Sequence, residues 1–516
     1  MLAKVLSGAN VGLEATVVTC EIDIASSGLP SFTIVGLADR AVEESKERVR
    51  SAIRNSGADF PAKKITVNLA PADLPKEGPA YDLPIALGLL LASEQIPVNN
   101  PGPPAGGLNL DETLAVGELS LDGHLRRTQG ILPLSILAKQ AGLKRIIVPT
   151  ENAKEAAVVE GIEVLAFDSL LDVIKVLLGQ ATIKPVKGQK LNLDGKGTFE
   201  YDFSQIKGQE QAKRALEISA AGGHNVLLKG PPGAGKTMLA RAFPSILPPM
   251  SLEEAIEVTK IYSISGNLAA GTPIVTTRPF RSPHHTASYV GLIGGGNSIR
   301  PGEISLAHRG VLFMDELPEF PRQVLEALRQ PLEDHRVTIS RASGSLTFPA
   351  EFILMAAQNP CPCGYLGDKK RNCTCMPGQI SKYQRRISGP LLDRIDIYLE
   401  VPAVDVEKLS GDFKGEDSET VRKRVTNARD IQGKRYIGKI LTNSQMGSNE
   451  IREFCVISEE GMNLLKMAIS SLNLSARGYH RVLKLSRTIA DLAGSDNIQT
   501  EHVAEALQYR AKDETM

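Results

Sequence analysis

The sequence predicts a multidomain α/β protein whose C-terminal part is mostly helical. Its 516 residues exceed what one hydrophobic core usually serves. Residues 1–176 alternate strand-like and helix-like runs, and a second alternation begins near residue 201 with a strand, a glycine loop and a helix. The predicted layout is an α/β domain at residues 1–180, a linker at 181–200, an α/β core at 201–402 and a helical domain at 403–516.

The elements of the first domain follow from the period of its apolar residues. Strand patterns occur at Ala15–Ile24, Ser31–Val35, Lys64–Leu69, Leu114–Leu121 and Arg145–Val148. Helix patterns occur at Arg40–Asn55, Tyr81–Leu91, Ile131–Gln140 and Leu170–Leu178. Residues 181–200 lose this periodicity and collect Lys, Gly and Pro, which is typical of a linker.

The same criteria predict the elements of the other two domains. In the core they are the helices Gln209–Ala221 and Lys236–Phe243 and the strands Asn225–Leu228, Gly310–Met314 and Phe352–Ala356. In the C-terminal domain they are the helices Glu419–Ile431, Glu459–Ser470, Ala476–Ala493 and Thr500–Arg510.

Charge and hydropathy exclude several classes of protein. Lys+Arg and Asp+Glu both total 59, so a site for a polyanion must be a local basic patch. The longest apolar stretch, Leu83–Ala92, contains Pro84 and is too short to cross a bilayer. The N-terminus lacks the pattern of a signal peptide. We therefore expect a cytoplasmic protein with no membrane partner.

A phosphate-binding loop is the most specific motif in the chain. It fits G-x4-G-K-[ST] and lies between an apolar strand and a helix, which is the context that this motif requires. Its residues are Gly230, Pro231, Pro232, Gly233, Ala234, Gly235, Lys236 and Thr237. Glycines let backbone N–H groups surround phosphates, while Lys236 reaches the β- and γ-phosphates and Thr237 offers a hydroxyl to Mg²⁺. The motif predicts binding of ATP and Mg²⁺.

Two acidic residues end the next buried strand of the core. An apolar run to Met314 is followed directly by Asp315 and Glu316. Carboxylates at this place favour a cation, so we expect Asp315 to hold Mg²⁺ through water and Glu316 to polarise the attacking water. A solvated strand end is the alternative.

Two further polar residues are candidates for the reaction. Asn359 follows the strand Phe352–Ala356, where its amide can orient water, although an ordinary turn residue is the alternative. Arg394 lies at the end of a short predicted helix, and guanidinium suits a transition state whose charge spreads over phosphoryl oxygens. A structural ion pair is the alternative for Arg394.

A cluster of four cysteines predicts a zinc site. Cys361, Cys363, Cys373 and Cys375 form a C-x-C-x9-C-x-C pattern, and four thiolates at this spacing can close a tetrahedral Zn²⁺ site. Four unliganded thiols on a polar loop are the alternative. The isolated Cys20 and Cys455 are expected to be packing residues.

Several basic and histidine-containing segments are less specific. Residues 335–348 alternate and then turn at Ser-Gly-Ser, which predicts a β-hairpin with Arg336 and Arg341 on one strand. The basic runs 369–371 and 422–424 are candidates for phosphate contact or solvated surface. No chemical role is assigned to His284 and His285, for which pore contact, capping and a structural pair remain open.

These motifs together resemble a known family. Residues 201–510 resemble AAA+ ATPases of the magnesium-chelatase/MCM branch, and the segments Phe280–His285 and Pro301–Gly310 resemble its magnesium chelatase-like ComM/YifB family. The resemblance extends over essentially the whole chain. It implies an AAA+ P-loop core followed by a C-terminal helical lid of the magnesium-chelatase type.

The resemblance also implies an assembly and an activity. It implies a homo-hexameric ring in which Arg394 acts on the ATP of the next subunit and Arg477 is the sensor-2 arginine, with Arg481 one helical turn away. In MCM-like ATPases a hairpin before the Asn-bearing strand points into the pore, so Arg336 and Arg341 are expected to contact DNA. Members of the ComM type are associated with ATP-driven DNA unwinding and branch migration during transformation and recombination. The resemblance therefore implies single-stranded or branched DNA as the partner. No small-molecule substrate beyond ATP is expected.

The first domain resembles the Lon-protease-like (S5-type) domain without its catalytic dyad. In the Lon motif a serine follows Gly-Pro, but Ala80 follows Gly78-Pro79 here. Counting from the segment Gly117–Gly123, the position of the dyad lysine falls on Leu132. Acyl transfer needs both a nucleophile and a base, so we expect a structural or DNA-contacting domain without peptidase activity.

Two other functions remain open. The main alternative is the motor subunit of a metal-chelatase complex, which shares the ATPase core but needs neither a Lon-like domain nor a cysteine cluster. A protein-remodelling chaperone usually presents an aromatic residue to its substrate, whereas the hairpin offers only Phe348 at its base.

Overall fold

The computed structural model describes residues 2–96, 108–188, 193, 197, 199–296, 299–341, 344–368, 371–403, 415–436, 442–471 and 475–510. The chain divides into two compact units. The first comprises Met1–Asn192, Leu252–Val275 and Asn297–Arg300; the second comprises Leu193–Ser251, Thr276–Gly296 and Pro301–Met516. Much of the predicted linker, together with Lys369 and Lys370 of one basic run, lies outside the described residues.

The first unit is built around a seven-stranded sheet in the order β3-β4-β2-β1-β5-β8-β9. Its strands are β1 (Leu2–Val11), β2 (Glu14–Ile24), β3 (Ser31–Val35), β4 (Lys64–Ala70), β5 (Thr113–Ala115), β8 (Arg145–Pro149) and β9 (Glu163–Phe167), and a separate small hairpin joins β6 (Glu118–Leu119) to β7 (Leu125–Arg126). Strand β2 pairs antiparallel with β1 and β4, whereas β1-β5, β5-β8, β8-β9 and β3-β4 are parallel. The sheet is therefore mixed.

The described helices of the first unit pack on its sheet or on one another. They span Arg40–Asn55, Asp82–Ala92, Ile131–Gln140, Ala153–Ala156, Leu170–Leu177 and Leu252–Ser265. Asp39 caps the first of these by accepting a hydrogen bond from the Val42 N–H at 2.8 Å, and Val42, Val49 and Ile53 are buried. All residues of Asp82–Ala92 are buried, as expected for an apolar helix in a core.

The second unit contains a five-stranded parallel sheet in the order β11-β14-β17-β10-β18. The strands that follow β9 in the chain are β10 (Val226–Lys229), β11 (Phe280–Arg281), β12 (Gly294–Gly295), β13 (Arg300–Pro301), β14 (Val311–Met314), β15 (Arg336–Arg341), β16 (Gly344–Pro349), β17 (Ile353–Gln358) and β18 (Ile397–Glu400). In a parallel sheet the carboxyl ends of neighbouring strands meet at one edge. The loops after β10, β14 and β17 therefore converge there.

Helices flank this sheet and make up most of the C-terminal part. They span Glu210–Gly222, Lys236–Ala242, Tyr289–Ile293, Glu303–Leu306, Arg322–Ala327, Arg329–Asp334, Pro377–Gln384, Gly389–Leu392, Ser418–Arg435, Ser448–Phe454, Glu459–Ser471, Ala476–Leu492 and Thr500–Gln508. Among the described residues, we find no helix with the length and apolarity needed to cross a bilayer.

Most predicted elements are confirmed within a few residues, but one predicted strand is wrong. The expected strand Leu114–Leu121 is split into β5 and β6 around Gly117. The Gly117 N–H donates to the Ala80 carbonyl at 3.0 Å, and the Gly117 carbonyl accepts from the Leu83 N–H at 3.0 Å. These bonds use the backbone groups that a continuous strand would need for its neighbours.

Candidate nucleotide site and cysteine cluster

The phosphate-binding loop connects β10 to the helix Lys236–Ala242, as the motif predicts. Gly233 and Gly235 have φ of +76° and +85°, in the region that favours glycine. At Gly230 an added Cβ would lie 2.1 Å from the Val401 carbonyl oxygen, so only glycine fits against the end of β18. No atom of the described residues lies within 4 Å of a Cβ built on Gly233, so the described part of the chain leaves room for a ligand at that point.

The ammonium group of Lys236 is enclosed by acceptors from two loops. Its Nζ donates to the carbonyl oxygens of Gly230 at 2.6 Å and Pro231 at 2.9 Å, and to the Asn359 Oδ1 at 3.1 Å. Burial lowers the pKa of Lys236, while the nearby carboxylates of Asp315 and Glu316 oppose that shift. Lys236, the predicted phosphate-binding lysine, and Asn359, the predicted water-orienting amide, are thus in direct contact, although 123 positions separate them.

The predicted magnesium ligands are also adjacent. The Thr237 hydroxyl donates to Asp315 Oδ2 at 2.9 Å, so the hydroxyl and the carboxylate face one space at the strand edge. Oxygen donors of this kind are what Mg²⁺ prefers, so these two residues fit the ion. Glu316 follows with φ of +51°, and its N–H donates to Asp315 Oδ1 at 2.9 Å.

Glu316 has a partner that sequence reasoning missed. Nδ1 of His285 lies 3.5 Å from Glu316 Oε2, and the His285 ring lies 4.0 Å from the ring of His284. The Glu316 side chain is 51% exposed, so the contact orients the carboxylate without removing it from water. The pair of histidines is visible in the sequence, but no local pattern links it to a residue 31 positions away.

Arg394 pairs within its own chain. Its Nη2 forms an ion pair with Glu333, and its Nη1 donates to the Pro390 carbonyl at 2.6 Å. Its buried Nε finds no hydrogen-bond partner among the residues that the structure describes. The ion pair is the alternative anticipated for this residue, and action on another subunit stays a prediction.

The two arginines at the start of the helix Ala476–Leu492 differ in environment. Arg481 Nη1 donates to the Ile395 carbonyl at 2.8 Å, and its Nη2 lies 3.2 Å from Asp393 Oδ1. Arg481 therefore fastens this helix to the segment that contains Arg394. Arg477 is exposed, so the assignment of a sensor role to it remains a prediction.

The predicted β-hairpin is confirmed. Strands β15 and β16 pair antiparallel from Arg336–Pro349 to Arg341–Gly344, so Gly344 and Ser345 of the expected Ser-Gly-Ser turn belong to β16. Residues 342–343 lie outside the described part. Arg336 and Arg341 are both exposed. A Cβ built on Gly295 would lie 2.9 Å from Arg341 Nη2, which places the guanidinium against the glycine segment after the helix Tyr289–Ile293.

The four clustered cysteines converge on one point. Their sulfur atoms all lie within 4.8 Å of one another, and the distances from Cys361 Sγ to those of Cys363 and Cys373 are 3.4 and 3.6 Å. Four thiolates at about 2.3 Å from a tetrahedral Zn²⁺ would stand about 3.8 Å apart, so the donor set and its spacing fit zinc. Backbone N–H groups of Tyr365 and Thr374 lower the pKa of Cys363 to about 6.

Cys20 and Cys455 are buried and lie outside this cluster. Burial raises the pKa of each thiol to about 12. Both residues therefore behave as the packing residues that the sequence predicts.

In the first unit, the two positions of the Lon-type dyad hold apolar side chains. Ala80 lies in a 3₁₀ turn, Pro79–Tyr81, and Leu132 is fully buried at the start of its helix. Two residues after Ala80, Asp82 has a pKa raised to about 6 by burial, while its bonds to Arg48 oppose the shift. This pair joins a buried carboxylate to a partly exposed guanidinium, and it does not supply the serine that acyl transfer by the dyad would need.

One further pair explains part of the family motif. Arg281 Nε and Nη2 donate to the two carboxylate oxygens of Glu303, each at 2.6 Å. This bidentate pair joins the end of β11 to the helix Glu303–Leu306. The segments that resemble the family are thus in contact, and their resemblance includes a structural ion pair.

Comparison with known proteins gives matches along nearly the whole chain. The family described as magnesium chelatase, subunit ChlI, matches residues 202–409; the related descriptions subunit ChlI of Mg-chelatase and magnesium chelatase, subunit ChlI C-terminal, match residues 20–152 and 415–510. Competence protein ComM of Haemophilus influenzae is 47% identical, over 99% of this chain and 97% of its own length. YifB of Escherichia coli is 46% identical over the same shares. Lon protease 2 of Bacillus subtilis is 30% identical over 26% of this chain and 22% of its own.

Proposed function

The chain belongs to the magnesium chelatase-like ComM/YifB family of AAA+ proteins, and we propose that it is an ATP-dependent DNA motor. The proposed layout is a Lon-protease-like domain at residues 1–180, a linker at 181–200, an AAA+ core at 201–402 and a helical lid at 403–516. The proposed assembly is a homo-hexamer in the cytoplasm. It would bind single-stranded or branched DNA, separate duplex strands and promote branch migration during DNA uptake and recombination, in keeping with the name of the competence protein that it resembles.

The convergence of Lys236, Thr237, Asp315 and Asn359 at one sheet edge is the observation that supports ATP hydrolysis. The loop N–H groups and Lys236 would bind the phosphates, and Thr237 and Asp315 would hold Mg²⁺, which neutralises phosphate charge when bound. Glu316 would polarise the attacking water. Asn359 would orient that water from the neighbouring strand.

Two further arginines would complete the site. Arg394 would stabilise transition-state charge on the ATP of the adjacent subunit, for which it must exchange its contact with Glu333. Arg477 would reach the phosphates from the lid. Its side chain is exposed at the start of the helix Ala476–Leu492, whereas that of Arg481 donates to the Ile395 carbonyl.

The arginine hairpin supports the assignment of DNA as the substrate. Phosphate charge dominates non-specific affinity for DNA, and a chain with equal numbers of acidic and basic residues needs its basic groups placed locally. Arg336 and Arg341 are exposed at the two ends of one strand, whose Val337 and Ile339 are buried, and Arg341 lies against the glycine segment at Gly295. The hairpin and the glycine segment are in contact, and together they form a surface on which the sugar-phosphate backbone of DNA can lie closely.

The test compares wild type with Arg341→Ala on a forked duplex and a four-way junction at matched, moderate salt. If Arg341 neutralises one phosphate of single-stranded DNA, its replacement should reduce the slope of log affinity against log salt by about 0.7. We expect Arg341→Ala to unwind poorly while its ATPase rate without DNA stays near that of wild type. Lys466→Ala, which removes one exposed positive charge outside the hairpin, is the control and should unwind normally.

Two outcomes would contradict this assignment. Equal unwinding by wild type and Arg341→Ala would remove Arg341 from the mechanism. Absence of DNA binding and unwinding by wild type would favour a second function, the motor subunit of a metal-chelatase complex, which the match of residues 202–409 to a chelatase subunit supports. Stimulation of ATPase by a porphyrin rather than by DNA would identify that second function.

The proposed metal of the cysteine cluster is Zn²⁺, bound as one ion per chain by Cys361, Cys363, Cys373 and Cys375. The four sulfurs fill a tetrahedral set, so a structural ion is expected rather than a catalytic one with an open position.

A further inference from the structure

The cysteine cluster lies directly beside the nucleotide site. Cys361 follows Asn359 by two residues, and the Gly364 N–H donates to the Cys361 carbonyl at 2.9 Å to close the first turn. A Cβ built on Gly364 would lie 2.7 Å from Pro232 Cδ and 3.8 Å from Asn359 Cγ. The first turn of the cluster therefore packs against both the phosphate-binding loop and the amide that contacts Lys236.

The end of the cysteine segment returns to the same place. Cys375 is followed by the helix Pro377–Gln384, whose Gln384 Nε2 donates to the Pro360 carbonyl at 3.3 Å. Tyr383, on the same turn, is buried, and its hydroxyl group is hydrogen-bonded to the backbone of Asn359. Asn359 and Pro360 are thus held between the two ends of one segment.

Little apolar burial holds this segment in place. Among its described residues, 361–368 and 371–375, only Cys361 and Gly364 are buried. A polar segment of this kind gains too little from the hydrophobic effect to order itself, and four metal–thiolate bonds are a sufficient substitute. The sulfur cluster is the point at which both ends of the segment can be joined.

We propose that a zinc ion in this cluster positions Asn359 in the nucleotide site. The ion would join residues 361–363 to residues 373–375, and this link would fix the first turn against Pro232 and the returning helix against Asn359. The four cysteines are positioning residues, since none of them lies among the groups that contact Lys236. This inference rests on the proposed ATPase and extends it with a structural control over one polar group.

The first experiment compares full-length wild type, Cys373→Ala and the control Cys20→Ala, purified without oxygen. Elemental analysis should find one zinc per chain in wild type and Cys20→Ala and none in Cys373→Ala. Hydrogen exchange should accelerate in residues 358–361 of Cys373→Ala only. Misplacement of a reacting group by about 1 Å costs about a hundredfold in rate, so we expect kcat to fall tenfold to a hundredfold, with ATP affinity changed less than about threefold.

A double-mutant comparison separates positioning of Asn359 from a general structural effect. If the ion acts through Asn359, then Cys373→Ala should lower kcat less than about twofold when it is added to Asn359→Ala. Multiplicative losses would overturn the proposal. Wild-type kcat together with wild-type exchange in a zinc-free protein would overturn it as well.

A second measurement guards against a variant that does not fold. Zinc is removed from wild type with a chelator and then restored. Hydrogen exchange in residues 358–361 is measured at each stage, and nucleotide binding is measured in parallel with a fluorescent ATP analogue. Reversible loss of protection supports the proposal, and unchanged protection overturns it. Zinc content and hydrogen exchange are measured without ATP hydrolysis. A wild type that lacks ATPase activity would therefore contradict the proposed function, and these two measurements would still test the role of zinc.

Discussion

Replacement of Glu316 by Gln tests the proposed ATPase most directly. The carboxylate follows Asp315 at the end of β14, is half exposed and contacts His285 at 3.5 Å. Gln has nearly the same shape and retains an oxygen that can accept a hydrogen bond, but it cannot take a proton from water. Lys236, Thr237 and the loop N–H groups are unchanged, so nucleotide binding should persist.

The structure separates two sources of the expected fall in rate. A general base contributes about 10²- to 10⁴-fold, which corresponds to about 3–5 kcal/mol of activation free energy. An exposed interaction such as that between His285 and Glu316 contributes at most about 1 kcal/mol, or roughly fivefold. A fall in kcat of more than about a hundredfold therefore indicates removal of the base rather than disruption of its pairing with His285.

The assay is single-turnover hydrolysis of ATP, combined with affinity for a fluorescent ATP analogue and the melting temperature. Surface substitutions usually change stability by less than about 0.5 kcal/mol, so the melting temperature should move by less than about 2 °C. Glu319→Gln is the matched control, since Glu319 is similarly exposed and pairs with Arg386 instead. Normal turnover by Glu316→Gln, or an equal fall in kcat in Glu319→Gln, would refute the role given to Glu316.

Two other predictions concern the assembly and the first domain. Arg394→Ala should retain nucleotide binding and lose turnover. Mixing it with Lys236→Ala subunits should restore some activity, because one hybrid interface then has both intact halves. If no mixing ratio restores hydrolysis, the role of Arg394 is its ion pair with Glu333. Since Ala80 and Leu132 replace the dyad, no peptide or casein-like substrate should be cleaved with or without ATP. ATP-dependent cleavage that persists after contaminating proteases have been removed would disprove this.

The sequence predicted most elements because their apolar period is local. The helices Arg40–Asn55 and Ile131–Gln140 are found at the expected bounds. Strand β1 was missed because most of its buried positions hold small residues, namely Ala3, Ser7, Gly8 and Ala9. A Cβ at Gly8 would lie 2.5 Å from Leu134 Cδ2. Only the packed helix explains why glycine is needed there.

The helix Leu252–Ser265 was not predicted, although the sequence contains its pattern. Its buried Ala255, Val258 and Ile261 recur at helical spacing, so the signal is present in the sequence. In contrast, no pattern in the sequence indicates that this helix belongs to the first unit rather than the second. Periodicity identifies the face of a helix that is buried but not the element that covers it.

The sequence by itself determined the chemistry that this chain can offer. The glycine loop ending in Lys236-Thr237, the carboxylates after β14, the four cysteines and the absence of a nucleophile at Ala80 are all properties of residue type and spacing. The tertiary structure alone decided which of these groups meet. Strand order placed Asn359 beside Lys236, and packing placed His285 beside Glu316 and Gly364 beside Pro232. The physical reason is that burial patterns act over a few residues, whereas strand order in a parallel sheet brings together loops that are far apart in the chain.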